Sequence, residues 1–111
     1  MNVYDTVNKL AQEIKDSEEF KNYKKYKELI KSNPEINEKI KKFEILRYEI
    51  QISAMQGLQV SKEKEKELQD IYTELLAMEN VKEYFEAEFK FNILFADVNK
   101  IIGDSVKEVL A

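Results

Sequence analysis

Asn33-Pro34-Glu35-Ile36-Asn37-Glu38-Lys39-Ile40-Lys41-Lys42-Phe43 decides the fold. Asn33 is a helix N-cap. Pro34 takes the first helical position, where its missing N–H costs nothing, and Glu35 complements the positive end of the helix dipole. From that start Ile36, Ile40, Phe43, Ile50 and Ala54 keep helical spacing, interrupted by Arg47. A second apolar stripe, Ile45, Tyr48, Ile52 and Met55, lies on a different face. The spacing predicts a helix running to about Gln56, with Gly57 as its C-cap.

Working outward, the same punctuation recurs. Toward the N-terminus, Val3, Val7, Leu10, Ala11 and Ile14 predict a helix over roughly Val3 to Asp16. Asp16 or Ser17 then caps a second, whose apolar face is Phe20, Tyr23, Tyr26 or Lys27, Leu29 and Ile30; the alternative is one helix with a bend. Toward the C-terminus, Ser61 caps a fourth helix carrying Leu68, Ile71, Tyr72, Leu75 and Leu76. Asn80 with Glu83 reads as a capping box for a fifth, continuing through Phe85, Phe91, Phe95, Val98, Ile102 and Val109 with Gly103 as a place to kink or fray. No stretch alternates as a strand would. The expectation is an all-α bundle of about five helices forming one domain over residues 1–111.

The third and fifth helices are apolar over too much of their circumference for a solvated surface helix. A helix of about 30 residues spans roughly 45 Å, whereas a compact chain of this length has a diameter of about 35 Å. Either the shorter helices wrap the excess apolar surface, or a second copy covers it. The reading taken is a homodimer with these two helices at its core, through Ile45, Tyr48, Ile52 and Met55 together with Phe89, Ile93, Phe95 and Ile101.

Composition narrows the chemistry. The 111 residues include no histidine, no cysteine, two glycines and one proline. Ser-His-Asp and Cys-His catalysis, thiolate or imidazole metal sites and disulfides are therefore excluded, as are glycine-rich phosphate loops. Carboxylates are abundant, but a di-metal helical site wants Glu-x-x-His pairs. Glu88 alone lies among the aromatics of the fifth helix; it is either a buried acid or, more ordinarily, a side chain that reaches solvent or pairs with a lysine such as Lys82. No enzyme activity and no cofactor are expected. No segment has the roughly 18 to 20 apolar residues that span a bilayer. Met1-Asn2-Val3-Tyr4-Asp5 lacks the basic and apolar regions of a signal peptide, so the expected location is the cytoplasm.

Charge is distributed unevenly. Residues 21–47 hold nine bases and four acids inside a chain of net charge −4. Lys21, Lys24, Lys25, Lys31, Lys39, Lys41 and Lys42 form a candidate basic surface, interleaved with Tyr23, Tyr26 and Phe43. Such a surface suits an RNA-binding accessory factor. The same aromatics also sit at core spacing, and an overall pI near 5.0 argues against nucleic acid as the partner.

The ordered features resemble one family. Val3-Tyr4-Asp5, Ser17-Glu18-Glu19-Phe20-Lys21, Asn33-Pro34-Glu35, and Phe43 with Gln51 before the Gly57 loop all fit. So do Val81-Lys82-Glu83-Tyr84-Phe85, Ala96-Asp97-Val98 and Ile101-Ile102-Gly103. Together they are similar to the YlbF/YmcA-like family of small bacterial helical proteins, in particular its YheA-like branch. The resemblance implies an all-helical, dimer-forming cytoplasmic protein. It further implies a regulatory adapter role, since some members act in competence, sporulation and biofilm control through a complex that modulates messenger-RNA processing by RNase Y. Those complex-forming members are associated with cysteine-ligated iron–sulfur clusters, which a chain without cysteine does not carry over. No catalytic residue maps across.

Overall fold

The computed structural model describes residues 2–110. Five helices follow in order: α1 (Val3–Lys15), α2 (Glu18–Lys31), α3 (Pro34–Met55), α4 (Lys62–Leu76) and α5 (Val81–Leu110). The described residues contain no strand. Asn33 caps α3 by accepting from the Ile36 amide at 3.3 Å, with Pro34 following. Ser17 caps α2 through the Phe20 amide at 3.1 Å, so α1 and α2 are separate helices. Ser61 accepts from the amides of Glu63 and Lys64 at the start of α4.

Gly57 ends α3 as expected, at φ +74°. Its amide donates to the Ala54 carbonyl at 3.1 Å and that of Leu58 to the Ser53 carbonyl at 3.0 Å, the paired bonds of a Schellman motif. Asn80 departs from the expected capping box. It has φ +68°, a left-handed conformation that asparagine tolerates better than most residues. A cap needs an extended residue to aim its side chain at the first amides. Here the short reversal between α4 and α5 claims the backbone instead. The Asn80 carbonyl still receives the Tyr84 amide at 2.9 Å and so opens the helix. Gly103 neither ends nor frays α5, which is helical through it.

Each long helix pairs with a shorter one. α2 lies antiparallel against the first half of α5, with Phe20 edge-on to Phe91 at 5.9 Å and Tyr23 beside Tyr84 and Phe91. α3 pairs with α4. The halves join through Ile30, Ile36, Ile40, Phe43, Leu75 and Val81, with Tyr72 stacked on Phe43 and Phe85 at 5.6 and 5.8 Å and those two rings tilted against each other at 5.8 Å. Leu75 and Val81 are wholly buried on either side of the α4–α5 turn. α3 and α5 do not run side by side within the chain.

α1 differs from the rest. Its stripe of Val3, Val7, Leu10 and Ile14 is the cleanest in the sequence, yet it buries no residue and packs only against α2. The shorter helices thus leave the excess apolar surface uncovered. The Cα radius of gyration is 18.1 Å, against about 13 Å for a compact chain of this length. The accessible surface is 8940 Å², where a monomer of this mass normally shows about 6,400 Å².

Candidate functional site

The two stripes of α3 point in opposite directions because they lie about 160° apart at 100° per residue. Ile36, Ile40, Phe43 and Leu46 face the core. Leu46 belongs to neither stripe as read from the sequence; the approach of α4 covers it. On the opposite face Ile45, Tyr48 and Met55 are 60–77% exposed, while Ile52 is half-buried. On α5, Phe89 and Ile93 are exposed on the back of the helix, and Phe95 and Ile101 begin the half that α2 does not reach. On α3 the proposed interface residues share one strip, whereas on α5 they do not: Phe89 and Ile93 lie opposite Phe95, which continues the face of Phe91, and Ile101 lies on a third side.

The second half of α5 and all of α1 were legible as apolar but not as uncovered. Val81, Tyr84, Glu88 and Phe91 advance by threes and fours along the face that α2 covers. The same seam continues through Phe95, Val98, Ile102 and Val109 with nothing of this chain laid along it. Exposure rises along it from 0% at Val81 to 50% at Ile102 and 81% at Val109.

The basic segment does not form one surface. Lys31 and Lys41 line a cleft of about 700 Å³ between α2 and α3, with Lys27, Arg47, Tyr23 and Tyr84. Lys39 pairs with Glu74 at 2.6 Å, and Lys42 faces the groove between α3 and α4. Lys21, Lys24 and Lys25 stand exposed along α2, Lys25 near the Tyr26 ring. Phe43 is in the core and Tyr23 and Tyr26 pack against it, which removes the free aromatic faces that base stacking needs.

Glu88 pairs with neither Lys82 nor any other base among the described residues. Its Oε2 accepts from the Tyr23 hydroxyl at 3.2 Å and the Tyr84 hydroxyl at 3.4 Å. Burial first, and then the Glu88 carboxylate, push both phenols above their ordinary 10.0. The unfolded chain releases these protons near pH 10, while the folded chain holds them. Their contribution to stability is complete below about pH 10 and is lost as the pH rises above it. Thermal melts should show a declining midpoint above about pH 10, and Tyr84→Phe should make that decline shallower than in the parent. Equal slopes for the two proteins would show that the cluster has no such linkage.

No group of three or more acidic side chains among the described residues is placed to share a metal ion. None of the described helices is long and apolar enough to cross a membrane. In class, this is an all-α bundle whose distinguishing surfaces are apolar helix faces. The chain belongs to the family described as control of competence regulator ComK, YlbF/YmcA, whose model matches residues 3–107. Among its relatives, the UPF0342 protein DSY2926 of Desulfitobacterium hafniense is 36% identical, covering 99% of this chain and 89% of that protein. The UPF0342 protein NT01CX_2274 of Clostridium novyi is 33% identical, covering 97% and 95%. STH1710 of Symbiobacterium thermophilum, another UPF0342 protein, is 32% identical over 94% and 93%.

Proposed function

We propose that this protein is a non-enzymatic regulatory adapter that works as a homodimer through protein–protein contacts. Membership of a family described by control of a competence regulator supports the regulatory part. One observation carries the dimer: the surface exceeds that of a compact monomer of the same mass by about 2,500 Å². In a large obligate dimer each partner buries roughly 1,000–2,500 Å². The exposed strip of α3 (Ile45, Tyr48, Met55, with Ile52 beside them) and the exposed apolar side chains of α5 (Phe89, Ile93, Phe95, Ile101) are the surfaces assigned to association. The adapter acts in the cytoplasm, without a cofactor.

Light scattering on the full chain at micromolar concentration should return twice the protomer mass; a single-protomer mass overturns self-association. A pull-down split into nuclease-treated and untreated halves tests the adapter role. A protein partner that survives nuclease and rebinds as a purified component supports it. Partners lost on nuclease treatment, with RNA recovered, would replace the adapter with an RNA-binding factor acting through residues 21–47.

A further inference from the structure

We infer that α1 of one protomer lies in the vacant seam of its partner's α5, so that the dimer closes by reciprocal exchange of the two N-terminal helices. The inference rests on the homodimer reading and adds to it a contact that the α3 strip and the back of α5 do not include. Its starting point is the continuity of the α5 seam. From Val81 to Phe91 that seam is filled by α2 of the same chain. Beyond Phe95 the three-and-four spacing persists, and side chains of the same character meet no helix. A sustained spacing of this kind is what a helix shows toward another helix packed along it. The second half of α5 therefore has the pattern of a covered surface and lacks its cover.

The chain carries one helix of matching description. α1 presents Val3, Val7, Leu10 and Ile14, spaced by four, three and four, and buries none of them. Its 13 residues extend about 20 Å, and the seam from Phe95 to the end of α5 extends about 24 Å. One stripe is thus nearly the length of the other. Within the chain they do not meet: α2 begins beside Phe91, and the turn at Asp16-Ser17 leaves α1 touching α2 alone.

A second copy is the occupant because each protomer offers both an α1 stripe, exposed at Val3 and Val7 and no more than half-buried at Leu10 and Ile14, and an α5 seam that no helix of its own chain covers. A two-fold operation that seats one α1 necessarily seats the other, satisfying all four surfaces at once. An unrelated partner helix on α5 would leave α1 bare. Reciprocal seating also covers the exposed Val3, Val7, Phe95, Ile102 and Val109.

The absence of cysteine makes a clean test available. Two differently tagged chains, one Leu10→Cys and one Ile102→Cys, are co-expressed and treated with a short bismaleimide. Both positions lie near the middle of their stripes, so the direction of seating does not matter. Neither is in the core, and circular dichroism verifies folding. The expected result is a cross-linked pair carrying both tags, formed in much higher yield than either same-tag pair. Predominant Ile102→Cys self-pairs would instead establish tail-to-tail packing and overturn the exchange. Light scattering showing a dimer without mixed cross-links would overturn the exchange while leaving the dimer standing. A monomer by light scattering would overturn both. A chain carrying both cysteines that links to itself, with no mixed pairs from the single variants, would show α1 closing within its own protomer and overturn the exchange.

Discussion

Ile102→Glu should turn the dimer into a folded monomer. Ile102 is half exposed in the isolated chain, so a carboxylate there is solvated in the monomer and costs little. In the dimer it would lie beneath the partner's α1. An unpaired polar or charged group buried there costs on the order of 2 kcal/mol or more. Two-fold symmetry doubles this to about 4 kcal/mol, which weakens association roughly 1,000-fold. Sedimentation or light scattering across a protomer dilution series reads this directly, with helicity by circular dichroism unchanged. Val7→Glu, on the other member of the contact, should do the same. Asn99→Glu, off the seam on the same exposed stretch, should leave the dimer intact. If Ile102→Glu and Asn99→Glu behave alike, the seam is not the interface.

Leu75→Ala should destabilise the fold strongly. Leu75 is wholly buried in the cluster that joins the α2–α5 half to the α3–α4 half, beside the equally buried Val81. Removing a leucine from such a position costs about 2–5 kcal/mol, because little nearby can collapse into the space. A chain of this length is stable by only about 6–16 kcal/mol in total. At the usual conversion for small domains, a loss near 3 kcal/mol lowers the melting midpoint by roughly 12–24 °C. The control is its neighbour Leu76, 39% exposed, whose truncation should cost about 1 kcal/mol or less. Both melts belong at one protomer concentration, since association raises the midpoint by mass action. A Leu75→Ala midpoint within a few degrees of the parent would show that the two halves are not joined through this cluster.

Both effects depend on surfaces that the sequence marks only as apolar. Periodicity distinguishes the two faces of α3 because Ile36, Ile40 and Phe43 lie opposite Ile45, Tyr48 and Met55 on any α-helix. It does not say which face has a neighbour. The clean stripe of α1 reads like an ordinary core-facing helix, yet in the chain none of its residues is fully buried and α2 alone lies against it. Leu46 and Ala87, both buried, fall between the stripes and owe their burial to where the adjacent helices approach. Glu88 follows the same rule. Its position among aromatics was legible, but its two tyrosine partners come from α2 and from one turn back on α5, a meeting that depends on interhelical register.

Helix identity and helix ends belong to the sequence alone. Asn33-Pro34, Ser17, Ser61 and Gly57 act within three or four residues of themselves, through hydrogen bonds and dihedral preferences that need no distant partner. For that reason they were readable before any packing was known. Asn80 is the exception that supports the explanation: its left-handed backbone answers the reversal between α4 and α5, which sequence-local reasoning does not contain. Which helices pair, which apolar stripes are left bare and how far α5 runs past α2 were decided only by the tertiary structure. The physical reason is that burial is a property of pairs of surfaces, whereas amphipathicity is a property of one.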